Sequence, residues 1–126
     1  IENRFKADFL VEQIMVVGDK QKFVSAIIVP AVEPLKEWCK KNGVEWVSVS
    51  EAIQNDKVIS RYEECCHKYN PEFSHIEQIK KFALTDKQWE ATKVDGTKAE
   101  LTPTMKLKRR VILEKHQEEI DKIYNE

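Results

Sequence analysis

Leu101-Thr102-Pro103-Thr104-Met105-Lys106-Leu107-Lys108-Arg109-Arg110 stands between a polar loop and the last helical pattern of the chain. It carries cations at Lys106, Lys108, Arg109 and Arg110. Basic side chains ordinarily gather at helix C-termini, because the N-terminus already bears partial positive charge. Here they crowd the start of a helix. That placement is unfavourable unless an anion comes to rest there. Free N–H groups beside several cations suit a phosphate or a carboxylate. Pro103 stiffens the approach, and Thr104 has the side chain for a helix N-cap.

Upstream, Thr85 to Glu100 is polar and turn-rich, with Asp95-Gly96 at its centre and Trp89 as its large apolar anchor. A polar connection of this length inside a compact domain is often functional, and this one delivers the basic run. Downstream, the pattern predicts one helix from about Lys108 to Tyr124. Leu113, His116, Ile120, Ile123 and Tyr124 form its inner face, with His116 a packing residue rather than a ligand.

The rest of the chain supplies a frame for this segment. Ile1, Phe5 and Phe9 recur at helical spacing and predict a short amphipathic helix. Val11 to Val17 reads as a strand, and the continuous apolar run Ile14-Met15-Val16-Val17 within it suggests burial on both faces. Gly18-Asp19-Lys20-Gln21 is turn material, and Phe23 to Val29 is a second β-rich run. Two such runs across a short polar connection predict an antiparallel hairpin. Pro34 fits the first turn of the next helix. Val32, Leu35, Trp38 and Cys39 form its apolar face, and Gly43 stops it. Ser48 and Glu51 have capping-box spacing, with Val47 and Ala52 placed for a hydrophobic staple. Asn55 or Asp56 caps a longer helix carrying Val58, Tyr62, Cys65 or Cys66, and Tyr69. Asn70-Pro71 breaks it, and a further turn through Phe73 and Ile76 is expected. Ile79 to Leu84 is the third strand. A small three-stranded sheet with an antiparallel hairpin, packed by helices, is an α+β arrangement.

The totals bound the function. A chain of 126 residues fits a single domain. Charged residues make up 34% but the net charge is −1, so bulk electrostatics gives no reason to expect nucleic acid or an acidic membrane. Nothing approaches the run of about 18 apolar residues that a membrane span requires. The first residue is Ile1 and the sequence runs straight into a helical pattern, as expected of a piece of a longer protein. Cys39, Cys65 and Cys66 are odd in number, two of them adjacent. That reads as free thiols in a reducing compartment, the cytoplasm, rather than as a disulfide framework. Cys65-Cys66-His67 lacks the spacing of a zinc site, His67 and His75 read as surface residues, and no metal ligands are assigned.

Lys106-Leu107-Lys108-Arg109 resembles the Lys-Ile/Leu-x-Arg of the C-terminal core motif of the adenylate-forming enzymes, which follows a Thr-rich segment. Met105 departs from it, standing where most of that superfamily has Gly. Glu100 to Arg109 as a whole is similar to the form found in the long-chain fatty acid–CoA ligases. Ile1-Glu2, Val16-Val17-Gly18-Asp19 and Gln78 to Leu84 carry the resemblance along the chain. The resemblance implies that residues 1–126 are a C-terminal lid domain, whose partner is an N-terminal domain of the same ligase, absent here with the hinge. It implies Lys106 as the catalytic lysine, with Thr102, Thr104, Lys108 and Arg109 supporting it. It implies activation of a fatty acid by ATP to an acyl-adenylate, then transfer to CoA, with the lid rotating between the half-reactions. ATP, Mg2+ and CoA would belong to the full enzyme, with no cofactor held by this domain alone. Two alternatives stand beside it. One is the lid of another acyl- or aryl-CoA ligase. The other is a basic-ended module that binds nucleic acid or protein, against which the near-neutral charge and the lack of aromatics among the cations both speak.

Overall fold

The sheet grows outward from one strand that is buried on both sides. In the computed structural model, which describes residues 5, 8–18, 23–72, 78–91, 99–104 and 106–124, that strand is β2 (Val24–Pro30). β1 (Val11–Val17) pairs with it antiparallel, Ile14 opposite Ile28 and Val16 opposite Ala26. β3 (Ile79–Leu84) pairs with its other edge in parallel, Phe82 beside Ala26 and Leu84 beside Ile28. The order is β1-β2-β3. Between β2 and β3 run α1 (Val32–Lys41), α2 (Val49–Ala52), α3 (Asp56–Tyr69) and a 3-10 turn at Asn70–Glu72. After β3 come a long connection, α4 (Arg109–Lys115) and α5 (Gln117–Tyr124).

Side chains alternate across a strand, so β2 feeds two cores. Ala26 and Ile28 join Phe5, Leu35, Val58 and Tyr62 on the α1/α3 side. Ile27 and Val29 join Met15, Trp89, Leu101, Ile112 and Ile120 on the α4/α5 side. Two bulges adjust this alternation. The β1–β2 register shifts between Val11 and Gln13, and Val11 thereby lands in the same core as Ile14. A shift between Val24 and Ser25 does the same for Ile79 and Phe82 of β3. One extra residue turns a strand's side chains over.

Several expectations hold in detail. Ser48 Oγ accepts the Glu51 N–H at 3.2 Å and starts α2. Asn55 Oδ1 accepts the Lys57 N–H at 2.9 Å and starts α3. Gly43, at φ 72°, follows the last turn of α1. This is a left-handed conformation that a Cβ disfavours. Asn70 then bridges the chain to β3, its side chain bonding both the N–H and the carbonyl of Ile79 at 2.9 and 3.0 Å.

Others are corrected. Phe5 is helical and fully buried, but Phe9 is 62% exposed. The chain turns at Asp8, whose carboxylate accepts the Leu10 N–H at 2.9 Å and pairs with Arg61 at 3.0 Å. Leu10 takes the buried place and Phe9 lies outside, under the Arg61 guanidinium. Val47 is exposed and forms no staple. The last helix is not continuous: it breaks at His116, and Ile112 rather than Leu113 faces the core. Ile112, His116, Ile120 and Ile123 are the buried inner residues, and Tyr124 packs half-buried against the same core as expected. The expected turn through Phe73 and Ile76, His75, Asp95-Gly96 and the residues Ile1 and Glu2 lie outside the described residues. No helix among the described residues is long and apolar enough to cross a membrane.

Candidate active site

The basic stretch folds back on itself before any helix begins. Leu101 and Leu107 face each other as an antiparallel bridge. Thr102 N–H donates to the Lys106 carbonyl at 2.8 Å, and Lys106 N–H donates to Thr102 Oγ1 at 3.0 Å. Lys108 N–H closes the base by donating to the Glu100 carbonyl at 2.8 Å. Pro103 and Thr104 form the turn. The sequence permits this because Pro103 fixes its own φ and needs no N–H partner, while Leu101 sinks fully into the α4/α5 core and pins the near strand. Met105 lies outside the described residues.

Thr104 therefore does not cap a helix. Its hydroxyl sits 3.0 Å from that of Thr102. α4 begins at Arg109, with Lys108 at the cap position and no side-chain cap bond. The anion-at-a-helix-start argument is corrected with it. Lys106 belongs to a hairpin, not to a helix end, and the first turn of α4 holds Arg109 and Arg110. The hairpin does bring together the residues singled out by sequence. Thr102 bonds both Thr104 and Lys106. Lys108 ties the base through its backbone, and Arg109 reaches the end of β1, its Nη1 donating to the Val16 carbonyl at 3.3 Å.

Lys106 is exposed, and among the described residues its ammonium has no partner. A braced backbone with a free cation on a long stem can place positive charge onto something outside this chain. A cavity of about 500 Å³ lies elsewhere, between α3, β3 and α5, and its lining does not include Lys106.

Sequence reading missed the residue beneath the hairpin. Glu100 is 3% exposed. One carboxylate oxygen accepts the Glu90 N–H at 3.1 Å, and the other receives the Lys115 ammonium at 2.5 Å. A buried carboxylate with two donors is costly to leave unpaired. A signal existed in Glu100 flanking the motif, but its partner lies in another element.

The remaining candidates are structural. Cys39, Cys65 and Cys66 are free and buried. Burial above all pushes the Cys65 and Cys66 thiols up to about 12, away from the thiolate that reactivity needs. Gly18 packs against Val24, whose Cγ2 would lie 3.2 Å from an added Cβ. His116 accepts the Trp89 indole N–H on Nε2 at 3.0 Å. Among the described residues no group of three or more His, Cys, Asp or Glu lies together where a metal could be held.

The chain as a whole is similar to known proteins. The chain is 34% identical, over 128 residues, to the long-chain-fatty-acid–CoA ligase FadD15 of Mycobacterium tuberculosis, covering 99% of this chain and 20% of that protein. It is 28% identical, over 144 residues, to the bovine long-chain-fatty-acid–CoA ligase ACSBG1, covering 100% of this chain and 19% of that protein. The chain therefore spans about a fifth of the curated relatives it matches. No family model matches it. Among solved structures, the adenylation domain of a carboxylate reductase from Mycobacterium chelonae superposes with a TM-score of 0.72 at 19% identity, over 99% of this chain and 17% of that one. The A-PCP didomain of a carboxylic acid reductase from Segniliparus rugosus, solved with AMP, gives 0.70 at 19% identity, over 98% of this chain and 15% of that one.

Proposed function

From a chain whose whole length is homologous to long-chain-fatty-acid–CoA ligases and folds like part of an adenylation domain, we propose that residues 1–126 are the C-terminal lid domain of an AMP-forming long-chain fatty acid–CoA ligase. Lys106 is its adenylation lysine. The observation that carries this reading is the exposed ammonium of Lys106, without a partner among the described residues, on a hairpin held by Thr102, Leu107 and Lys108.

The chemistry asks for such a group. A fatty carboxylate must attack the α-phosphorus of ATP, and both reactants are anions. A cation that reaches both offsets their repulsion and fixes the approach, and its benefit is largest where charge develops in the transition state. The hairpin supplies rigidity up to the Cα of Lys106, and the stem supplies reach. Thr102 and Thr104 set the turn, Lys108 closes its base and Arg109 moors it to β1. Pyrophosphate leaves as the acyl–phosphate bond forms. CoA thiol then displaces AMP after the lid has turned and withdrawn Lys106, so one lid serves two half-reactions. ATP, the fatty acid, CoA and the N-terminal domain are the partners of the whole enzyme in this reading. Magnesium finds no ligand cluster among the described residues of this chain, and none of these steps is assigned to it.

The test uses the full-length ligase carrying Lys106→Ala. Pyrophosphate release is expected to fall about 10²–10³-fold, the typical effect of losing one preorganised transition-state contact. Thioester formation from supplied acyl-adenylate is expected to change little. Equal slowing of both steps, or of neither, refutes the assignment of Lys106.

A further inference from the structure

We propose that Glu100 and Lys115 are positioning residues that hold Lys106 in register; this rests on the role proposed for Lys106. The backbone and the ion pair form a closed circuit. The Glu100 carbonyl takes the Lys108 N–H at the base of the hairpin. From Lys108 the chain enters α4, and Lys115 at the far end of α4 returns to the Glu100 carboxylate at 2.5 Å. Hairpin, helix and ion pair form three sides of a brace. The other carboxylate oxygen and the Leu101 N–H bind the backbone of Glu90, so the preceding connection is moored at the same point. The angle between hairpin and helix cannot change without parting one of these bonds.

The side chain of Glu100 is 4% exposed and that of Lys115 26% exposed, so the pair lies in a region where charge is poorly solvated and an uncompensated carboxylate seeks a partner. Lys115 meets that need from below. Lys115 thus works through Lys106 without touching any reactant.

The experiment compares Lys115→Met, Lys115→Arg, Glu100→Gln and Lys106→Ala in the full-length ligase, with both half-reactions assayed separately. Lys115→Met is expected to lower kcat for pyrophosphate release about 10- to 100-fold, because misplacing a reacting group by about 1 Å costs that order. KM for ATP and the rate of thioester formation from supplied acyl-adenylate are expected to stay within about twofold, the change being confined to the step in which Lys106 acts. Lys115→Arg keeps the charge and is expected to restore most of the rate. Combining Lys115→Met with Lys106→Ala is expected to add nothing to Lys106→Ala alone. If Lys115→Met slows both steps alike, or leaves pyrophosphate release unchanged, the positioning role is overturned. If Lys115→Met does not fold, Glu100→Gln carries the same comparison, with the same outcomes deciding. Lys106→Ala separates the two proposals: if it spares adenylation, the lysine assignment fails, and if it slows adenylation while Lys115→Met does not, only the brace fails.

Discussion

Acidification should destabilise this domain through one imidazole. His116 is 1% exposed, between α4 and α5. Its Nε2 accepts the Trp89 indole N–H at 3.0 Å, so in the neutral ring the proton sits on Nδ1. That nitrogen is buried without a hydrogen-bond partner among the described residues, and the Glu119 carboxylate stands 3.5 Å away. Burial pulls the His116 pKa below its ordinary 6.5, with Glu119 opposing and Lys87 assisting. Burial prevails because 3.5 Å without good alignment is a weak contact, and because a second proton would set Nε2–H against the indole N–H. The sign follows. A folded pKa below the unfolded one means that the unfolded chain binds more protons in the interval between them. Stability is complete above about pH 6.5 and falls as pH drops toward the folded pKa, by at most about 1.4 kcal/mol per pH unit for one proton. Urea unfolding at pH 7.5, 6.5 and 5.5 measures this, with His116→Gln as the reference that keeps an acceptor for Trp89 without a titrating ring. The wild type is expected to lose stability relative to His116→Gln across that range. Parallel profiles, or a wild type that gains on acidification, would refute the reasoning and give Glu119 the decisive role.

Two further outcomes are open to measurement. Ile27→Ala opens a void in the fully buried centre of β2 and is expected to cost about 2–5 kcal/mol of unfolding free energy, with a loss under 1 kcal/mol in urea titration counting against the two-core packing. Cys39, Cys65 and Cys66 should react with a thiol reagent at neutral pH only after denaturant is added, since all are buried and reaction needs an accessible thiolate; rapid labelling of the native domain would contradict their placement.

The strands were legible because their signal is local. Val11 to Val17 and Ile79 to Leu84 each begin and end on an apolar residue, at the bounds read from the sequence. Ser48, Asn55 and Gly43 were legible for the same reason, as each acts within a few residues of itself. What escaped reading depends on contacts at a distance. Phe9 loses its buried place because Arg61 holds Asp8 from across the sequence. Leu113 and Ile112 are equally apolar in the pattern, and packing against Trp89 and His116 selects between them. Thr104 looked like a cap because the backbone pairing of Leu101 with Leu107, which moves the helix start to Arg109, leaves no periodic trace. In the candidate site the motif residues were visible one by one. The pair beneath them was not, because Glu100 and Lys115 belong to different elements and each looks like an ordinary surface charge.

The two edges of β2 have different histories during synthesis. Its pairing with β1 needs only a short connection and can form as soon as Pro30 leaves the ribosome. Its other edge must wait for Ile79–Leu84, which at roughly 5–20 residues per second is a delay of a few seconds. Throughout that time Ala26, Ile27 and Ile28 present an apolar strand with unpaired backbone groups, the form of surface on which nascent chains adhere to one another. α1 and α3 emerge in the interval and can cover one face of β2, but nothing yet made can cover its edge. The helices between β2 and β3 therefore act as a temporary shield as well as a core, and chaperone demand in making this chain should peak before β3 is translated.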